Sequence, residues 1–295
     1  MFALALPFLL VGADSDDGLA KKMLPIYTRE ASDYSIAVET APDKPLELRK
    51  EPIFEWSSPG SPKRYQGVIF LWLREGRPAA IGNIFSMDRD KPDGRMIMHE
   101  LHALDSKKLV ATRPAESLNE WKPQTGLERK GLPDAPVPAV APETRLIQMK
   151  KLAAEFSGYE IDSGKKRWEL RLLPTPLYRY PASKSGAIDG ALFALVSETG
   201  TDPEVLLLIE AREFEGKVLW EFALGRMSDR SLYVQRKEKE IWTMIRNETN
   251  TFNNDAPHLY RNYADKVVSL EGKLLARMRV TEKYPYGQVV RVGEK

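Results

Sequence analysis

Short runs of β-branched and aromatic residues, separated by turn residues, dominate the hydrophobic pattern of this chain. Such runs predict strands of an antiparallel sheet. In the first half of the chain the predicted strands are 67–73, 79–87 and about 95–104. In the second half they are 168–173, 190–197, 204–213, 217–227 and 231–236, followed by the run EIWTMI. Turns such as EFEGK fit hairpin connections between these strands.

Helical spacing replaces this pattern in one segment. Apolar residues recur at intervals of three or four from Leu146 to Phe156, which predicts an amphipathic helix at 143–157. Gly158 stands where a left-handed residue would end that helix. In the corresponding segment of the first half, Pro25 would break an interior helical turn. We therefore expect the first helix to be shorter or displaced.

The two halves of the chain also resemble each other. The apolar run after Gly67 matches the run after Gly190 at an offset of 123 residues. The stretch LDSKKLVA at 104–111 matches MSDRSLYV at 227–234 at the same offset. Matches that share their order and offset predict an internal duplication. The expected fold class is α+β, built of two duplicated units, each a helix followed by an antiparallel β-meander.

These patterns predict a domain organisation. The two repeats occupy 14–121 and 143–246, and a Pro-rich linker at 122–142 separates them. Its composition favours an extended polyproline-like connection, which can act as a spacer or as a ligand for an aromatic groove. The remaining segment, 247–295, has no counterpart in either repeat, and its alternating pattern predicts a β-hairpin near Gly272.

The first residues of the chain, MFALALPFLLVGA, differ from everything that follows them. An apolar run that ends in small residues predicts a signal peptide at 1–13 with cleavage after Ala13. The run is shorter than the roughly 20 residues that a membrane-spanning helix needs. A buried N-terminal strand is the alternative interpretation. We expect the protein to be exported, either periplasmic or secreted, and not transmembrane after signal cleavage.

Composition narrows the classes of partner. Hydrophobic residues make up 42% and charged residues 29% of the chain, as in an ordinary globular protein. Basic and acidic side chains number 44 and 42, so the net charge of +2 predicts no general attraction to nucleic acid or anionic membranes. There is no cysteine, which excludes disulfides and fits export without deciding it.

The stretch MHELHALD contains two of the three histidines. If this segment is a strand, the His99 side chain points to one face and those of Glu100 and His102 point to the other. The three side chains then cannot converge on one metal ion, and we predict neither a metal nor a cofactor here. Glu100 and His102 remain candidates for ligand binding. The alternative is that they belong to a solvent-facing polar stripe on a half-buried strand.

Aromatic residues supply one more candidate. Trp72 and Trp220 lie inside apolar strands and are predicted to be core residues. Trp121 precedes the linker and is predicted to be exposed, where it could stack against a ligand. Recognisable catalytic signatures, such as a nucleophile elbow or a phosphate-binding loop, are missing from the sequence.

Four stretches carry a likeness to other proteins: GVIFLWLREGRPAAIGNIFS, HELHALDSKKLVATR, RLIQMKKLAAEFS and the region from ELRLLPTPLYRY to DGALFALV. Over about 45–245 the chain resembles a group of uncharacterised exported bacterial proteins. The resemblance implies export and a shared fold. That group has no assigned activity, so no functional residue is carried over.

The expected function is that of a non-enzymatic exported protein that binds a partner or ligand through its β-sheet surfaces. A hydrolase acting on a cell-envelope or polysaccharide substrate is the alternative, and it would have a cleft with two carboxylates or a metal near Glu100 and His102. A structural or assembly role would instead show a large exposed apolar patch.

Overall fold

The computed structural model describes residues 16–58, 61–90, 93–114, 120–182, 186–198, 200–246, 257–281 and 284–293. The predicted signal peptide at 1–13 lies outside these residues. In chain order the elements are α1 (Asp16–Ser32), β1 (Ser35–Val38), β2 (Glu47–Ser58), β3 (Tyr65–Arg74), β4 (Arg77–Asp90), β5 (Asp93–Ala103), β6 (Leu109–Thr112), β7 (Lys130–Gly131), α2 (Pro142–Ala153), β8 (Phe156–Ile161), β9 (Arg167–Leu172), β10 (Tyr178–Pro181), β11 (Ala187–Ser197), β12 (Pro203–Phe214), β13 (Lys217–Arg226), β14 (Ser231–Arg236), β15 (Lys239–Met244), β16 (Tyr260–Val268), β17 (Leu274–Thr281) and β18 (Tyr284–Arg291).

The strands predicted from the apolar runs are confirmed. Each of them coincides with an observed strand, within a few residues at its ends. The EFEGK turn is also confirmed as a hairpin that joins β12 to β13. Its central residues, Glu215 and Gly216, both have positive φ, at 49° and 75°. This is the two-residue turn whose twist matches that of the flanking strands.

The prediction of an α+β fold made of duplicated helix-and-meander units is wrong. The described residues form eighteen strands but two helices, and the strands make antiparallel sheets of nine, seven and two strands. Local strand order around Gly67 and Gly190 is similar, yet the resulting sheets differ. β1 and β6 form a separate two-stranded sheet, whereas β8 and β14 join the nine-stranded sheet. Which sheet a strand joins depends on pairing between edge strands that are distant in sequence, and a local apolar pattern does not encode that pairing.

The C-terminal segment completes the sheet that the first half begins. The strand order of the seven-stranded sheet is β18-β17-β16-β5-β4-β3-β2, and β16 pairs with β5 along its length. The hairpin predicted near Gly272 is confirmed, since β16 pairs with β17 and Gly272 has a φ of 79° in the turn. This arrangement gives β5 a sheet neighbour on each side.

The two large sheets pack face to face, and a helix covers the outer face of each. Leu71 from the seven-stranded sheet and Leu208 from the nine-stranded sheet belong to the apolar core between them. α1 buries Met23 against the outer face of the first sheet, and α2 buries Met149 against that of the second. Burying a side chain of this size contributes about 1.5–3 kcal/mol.

Both helix predictions need correction. α2 ends at Ala153, and Gly158 lies in β8 opposite Val234. A Cβ at Gly158 would lie 2.6 Å from the Tyr233 carbonyl oxygen, so close strand approach explains this glycine. α1 has 17 residues and includes the exposed Pro25, because packing of its buried face outweighs the hydrogen bond that proline cannot donate. Neither helix of the described chain is long and apolar enough to cross a membrane.

The Pro-rich linker contains ordered, packed structure. β7 lies within it and pairs with β13 at Glu221 and Phe222. Leu127 and Leu132 from the linker are buried in the apolar cores. The linker therefore packs against the core of each region through these side chains.

Candidate functional site

The segment that holds His99, Glu100 and His102 is a strand, as predicted. In β5 the side chains alternate, so His99 faces α1 while Glu100 and His102 face the second sheet. The three side chains are buried, with exposed fractions of 0%, 6% and 2%. The interpretation as a solvent-facing polar stripe is wrong, because another layer covers each face of β5.

A chain of hydrogen bonds beneath α1 holds His99. Arg113 Nη1 donates to the Tyr263 hydroxyl at 3.0 Å. The Tyr263 and Tyr34 hydroxyls share a hydrogen bond, and the Tyr34 hydroxyl is hydrogen-bonded to His99 Nδ1 at 3.0 Å. The His99 ring stacks on Tyr263 with 4.9 Å between ring centroids. Burial, followed by the charge of Arg113, lowers the pKa of His99, so the ring is neutral.

Glu30, His99 and Asp265 are the described residues whose ligand atoms could surround a metal ion, since those atoms lie within 4.8 Å of one another. Their charge is already balanced. Arg113 Nη2 lies 2.7 Å from Glu30 Oε2, and Lys266 Nζ lies 2.7 Å from Glu30 Oε1 and 3.4 Å from Asp265 Oδ2. Two cations offset two carboxylates, so a divalent ion would add two uncompensated charges to a buried site. The geometry supports an ion-pair network that fixes α1 to the sheet.

Glu100 and His102 lie between the two sheets. The Glu100 carboxyl accepts hydrogen bonds from Asn83 Nδ2 at 2.8 Å and from the Tyr260 hydroxyl at 2.7 Å. Burial raises the pKa of Glu100 to about 8, although both hydrogen bonds oppose the shift. His102 packs against Gly225, and burial lowers the pKa of His102 to about 4. Both groups are therefore neutral at pH 7, and a ligand in solvent reaches neither unless the sheets separate.

Trp121 is buried, so the prediction that it is exposed is wrong. Its exposed fraction is 1%, and its indole Nε1 donates to the His258 carbonyl oxygen at 2.8 Å. Its backbone exchanges two hydrogen bonds with Ala111 in β6. This backbone pairing with β6 places the Trp121 indole in the core beneath α1.

A second group of buried acids surrounds Arg230. Glu160 in β8 binds Arg230 Nη1, and Asp202 and Glu204 lie beside them. Burial raises the pKa of all three carboxyls, and the neighbouring acids raise that of Glu204 further. Glu160 and Glu204 are almost inaccessible to solvent. Because their pKa values are raised, these carboxyls make the free energy of unfolding depend on pH. Their burial leaves little surface that a ligand could contact.

The accessible site lies elsewhere, in an open groove beside the β12–β13 hairpin, which we call the linker groove. It has a volume of about 940 Å³, and its walls are the β3–β4 turn, linker residues between 129 and 138, and residues 212–221. Val137, Phe214 and Leu219 line it with exposed fractions of 79%, 63% and 49%. Large apolar side chains gathered in one accessible groove are typical of an interaction site.

The base of the linker groove is a charged cluster around Glu210. Arg77 Nε and the Tyr180 hydroxyl donate to Glu210 Oε1 at 2.6 and 2.7 Å, and Arg129 Nε donates to Oε2 at 3.0 Å. Arg212 Nη1 lies 3.6 Å from the same carboxylate. Arg129 also donates to two backbone carbonyl oxygens. Because these guanidinium groups bind partners within the protein, the surface left for a ligand is mainly apolar.

None of the groove residues was among the candidates predicted from the sequence. A signal was nevertheless present, because Phe214 lies within the EFEGK stretch and Leu219 two residues after it, although a hairpin tip is usually polar. Apolar residues at strand ends fit a core assignment equally well. Their exposure depends on where the opposite sheet ends, which is a tertiary property.

No protein-family model matches the sequence, and searches of curated proteins and of solved structures find no match. The resemblance to exported bacterial proteins stays a prediction.

Proposed function

We propose that this chain is a non-enzymatic exported binding protein whose linker groove holds an apolar segment of a partner. One observation carries the proposal: Val137, Phe214 and Leu219 are largely exposed and line the same groove. Covering such side chains contributes about 25 cal/mol for each Å² removed from water. An apolar occupant therefore has a clear source of binding free energy at this site.

The linker wall of the groove is held in place before any partner arrives. Gln148 on α2 accepts from the Ala139 N–H at 2.8 Å and donates to the Val137 carbonyl oxygen at 3.0 Å. Arg145 Nη1 donates to the carbonyl oxygens of Ala139 and Val140 at 3.0 and 2.6 Å. A wall that is already ordered loses less conformational entropy on binding, which favours affinity.

The hydrolase alternative depended on a cleft beside Glu100 and His102. Both side chains lie between packed sheets and are almost inaccessible. A polymer substrate would have to part the sheets to reach them. No contact or distance in the described residues favours that alternative over binding in the linker groove.

The dye anilinonaphthalene sulfonate, which fluoresces on apolar surfaces, tests the proposal. We expect the purified protein to bind it with one dominant site, and Phe214→Ser to weaken binding about tenfold, since burial of a phenylalanine side chain contributes about 1.5–3 kcal/mol. Leu219→Ser should act in the same direction. The control is Ile147→Ser, which removes a similarly exposed apolar side chain from α2, outside the groove.

Equal dye affinity in the wild type, Phe214→Ser and Leu219→Ser would show that the dye site is not the linker groove, and the proposal would fail. Loss of affinity in Ile147→Ser alone would move the site to α2.

A further inference from the structure

The linker groove contains part of the outer edge of strand β13. On that side β7 pairs with Glu221 and Phe222, and the Leu132 N–H donates to the Trp220 carbonyl oxygen at 2.8 Å. The backbone groups of Trp220 therefore point away from β12 and toward the linker. Because hydrogen-bonding direction alternates along a strand, the N–H and C=O of Val218 point the same way.

The linker leaves this edge before it reaches Val218. Its next residue after Leu132 is Pro133, which has no N–H to donate. A turn follows, in which the Ala135 N–H donates to the Leu132 carbonyl oxygen at 3.1 Å. The ladder begun by β7 thus stops one hydrogen-bonded position short of Val218. This short stretch of β13 edge opens into the groove, since Val218 is one of its lining residues.

The groove presents apolar surface on both sides of that edge. Phe214 and Leu219 lie on the face of the hairpin that looks toward the seven-stranded sheet. Val218 and Trp220 lie on the opposite face, with Val137 from the linker beside them in the groove. Side chains of an added strand alternate between the two faces, so successive residues would each meet apolar surface.

Charge adds one further preference. Arg77 and Arg129 bind Glu210, and both Nε and Nη2 of Arg74 donate to Asp105. Lys107 also lines the groove, and the described part of the chain contains no ion pair to its ammonium group. Glu75 and Glu213 also line the groove, so an acidic side chain of the occupant would be favourable at the end beside Lys107 alone.

We propose that the occupant of the linker groove is an extended peptide segment of a partner protein, which adds to the edge of β13 at Val218 and continues the ladder that β7 begins. It has apolar residues along its length and an acidic residue at one end. This proposal rests on the proposed function and adds the binding mode, in which backbone hydrogen bonds supply affinity and side-chain surfaces supply selectivity.

The probe is a fluorescent synthetic peptide with valine and isoleucine alternating over six residues and one terminal glutamate. Its partner probe has the same side chains but a methyl group on every backbone nitrogen. We expect the first peptide to bind the full-length protein in a fluorescence anisotropy titration. The methylated peptide should bind about two- to tenfold more weakly although it is more apolar, because the hydrogen bond from a peptide N–H to the Val218 carbonyl oxygen is lost, and such a bond contributes about 0.5–1.5 kcal/mol.

A protein variant tests the hydrogen bonding between the peptide and the β13 edge by changing the protein. Val218→Pro removes an N–H that points away from β12, and proline is tolerated at such an edge position. It should weaken binding of the unmethylated peptide about fivefold or more. Val218→Thr keeps the N–H and a β-branched side chain, so it is the matched control and should retain the peptide.

The outcomes separate the two proposals. If both peptides bind equally, if Val218→Pro binds the peptide as tightly as Val218→Thr, or if the dye binds while neither peptide does, strand addition is overturned and the apolar groove stands. If the wild-type protein does not bind the dye, the groove proposal itself fails. If circular dichroism shows that Val218→Pro does not fold, the comparison of the two peptides on the wild-type protein decides.

Discussion

Glu100 shows how single buried polar residues in this protein obtain their partners from distant parts of the chain. Its two hydrogen-bond donors, Asn83 and Tyr260, come from the neighbouring strands β4 and β16. Both donors are neutral, so they do not offset the cost of burying a charge, and the pKa of Glu100 rises to about 8. Burial likewise disfavours the charged form of His102, so its pKa is lowered and the ring is neutral at pH 7. On the face of β5 between the sheets, the structure thus holds Glu100 and His102 as neutral groups.

This pKa shift predicts how stability depends on pH. An unfolded glutamate ionises near its ordinary pKa of 4.5, whereas the folded protein keeps the Glu100 proton until about pH 8. The folded state holds this proton more tightly than the unfolded state does. The contribution of protonated Glu100 to stability is therefore complete below the pKa of the unfolded state, and it is lost as pH rises toward the pKa of the folded state. The slope is at most about 1.4 kcal/mol for each pH unit. Glu100→Gln should therefore unfold in urea with a free energy that declines less between about pH 5 and pH 8.

Glu51→Gln is the control, because Glu51 is an exposed residue of β2 and its substitution should leave the pH slope unchanged. Glu160, Asp202 and Glu204 also have raised pKa values, so some slope should remain in Glu100→Gln. Identical slopes for the wild type and Glu100→Gln would contradict the account of Glu100.

At the scale of secondary structure, close approach between strands explains residues that pattern alone left ambiguous. Gly67 in β3 lies opposite Phe85 in β4, and a Cβ at Gly67 would fall 2.4 Å from the Phe85 Cβ and 2.9 Å from the Trp56 indole nitrogen. The Phe85 Cβ is fixed to its backbone and cannot move aside. Gly67 is required because there is no space for a side chain, and its φ is not in the left-handed region.

Gly67→Ala should destabilise the protein by about 1–3 kcal/mol through overpacking. The matched control is Gly131→Ala in β7, where no atom lies within 4 Å of the added Cβ, and it should have little effect on stability. Urea unfolding followed by circular dichroism measures both. A Gly67→Ala protein as stable as Gly131→Ala would mean that β3 and β4 separate more easily than the structure indicates.

For the whole molecule, one charged cluster links the parts of the fold. Arg77 belongs to the seven-stranded sheet, Glu210 to the nine-stranded sheet and Arg129 to the linker. The Arg77 and Glu210 side chains are 4% and 2% exposed, so their pairing is almost free of solvent screening. Removing one member of a buried ion pair leaves an uncompensated charge, which costs more than the pair itself contributes.

Glu210→Gln should lower the free energy of unfolding by about 3 kcal/mol, because Arg77 would stay buried without a carboxylate. Glu169→Gln is the control: it removes a carboxylate from an ion pair with Arg167 in which both side chains are more than half exposed, and it should change stability far less. Urea titrations at pH 7 measure both variants. Similar losses in the two would argue that the sheets are held together by their apolar core alone.

Features that depend on neighbours along the chain could be predicted from the sequence. Apolar runs set the strands, Glu215 and Gly216 set a tight turn, and alternation placed His99 on the opposite face from Glu100 and His102. These features follow from backbone geometry over a few residues, which distant contacts alter little.

The sequence by itself thus determined the strands, several of their turns and the relative orientation of side chains along each strand, because those depend on local backbone geometry. Tertiary structure alone decided the sheet order, the burial of both faces of β5, the inward turn of Trp121 and the exposure of Phe214 and Leu219. Each of these depends on which distant segment covers a surface: β16 beside β5, α1 over His99, and a seven-stranded sheet that ends before the tip of the β12–β13 hairpin. A linear pattern states which residues are apolar, and long-range packing determines which of them reach water.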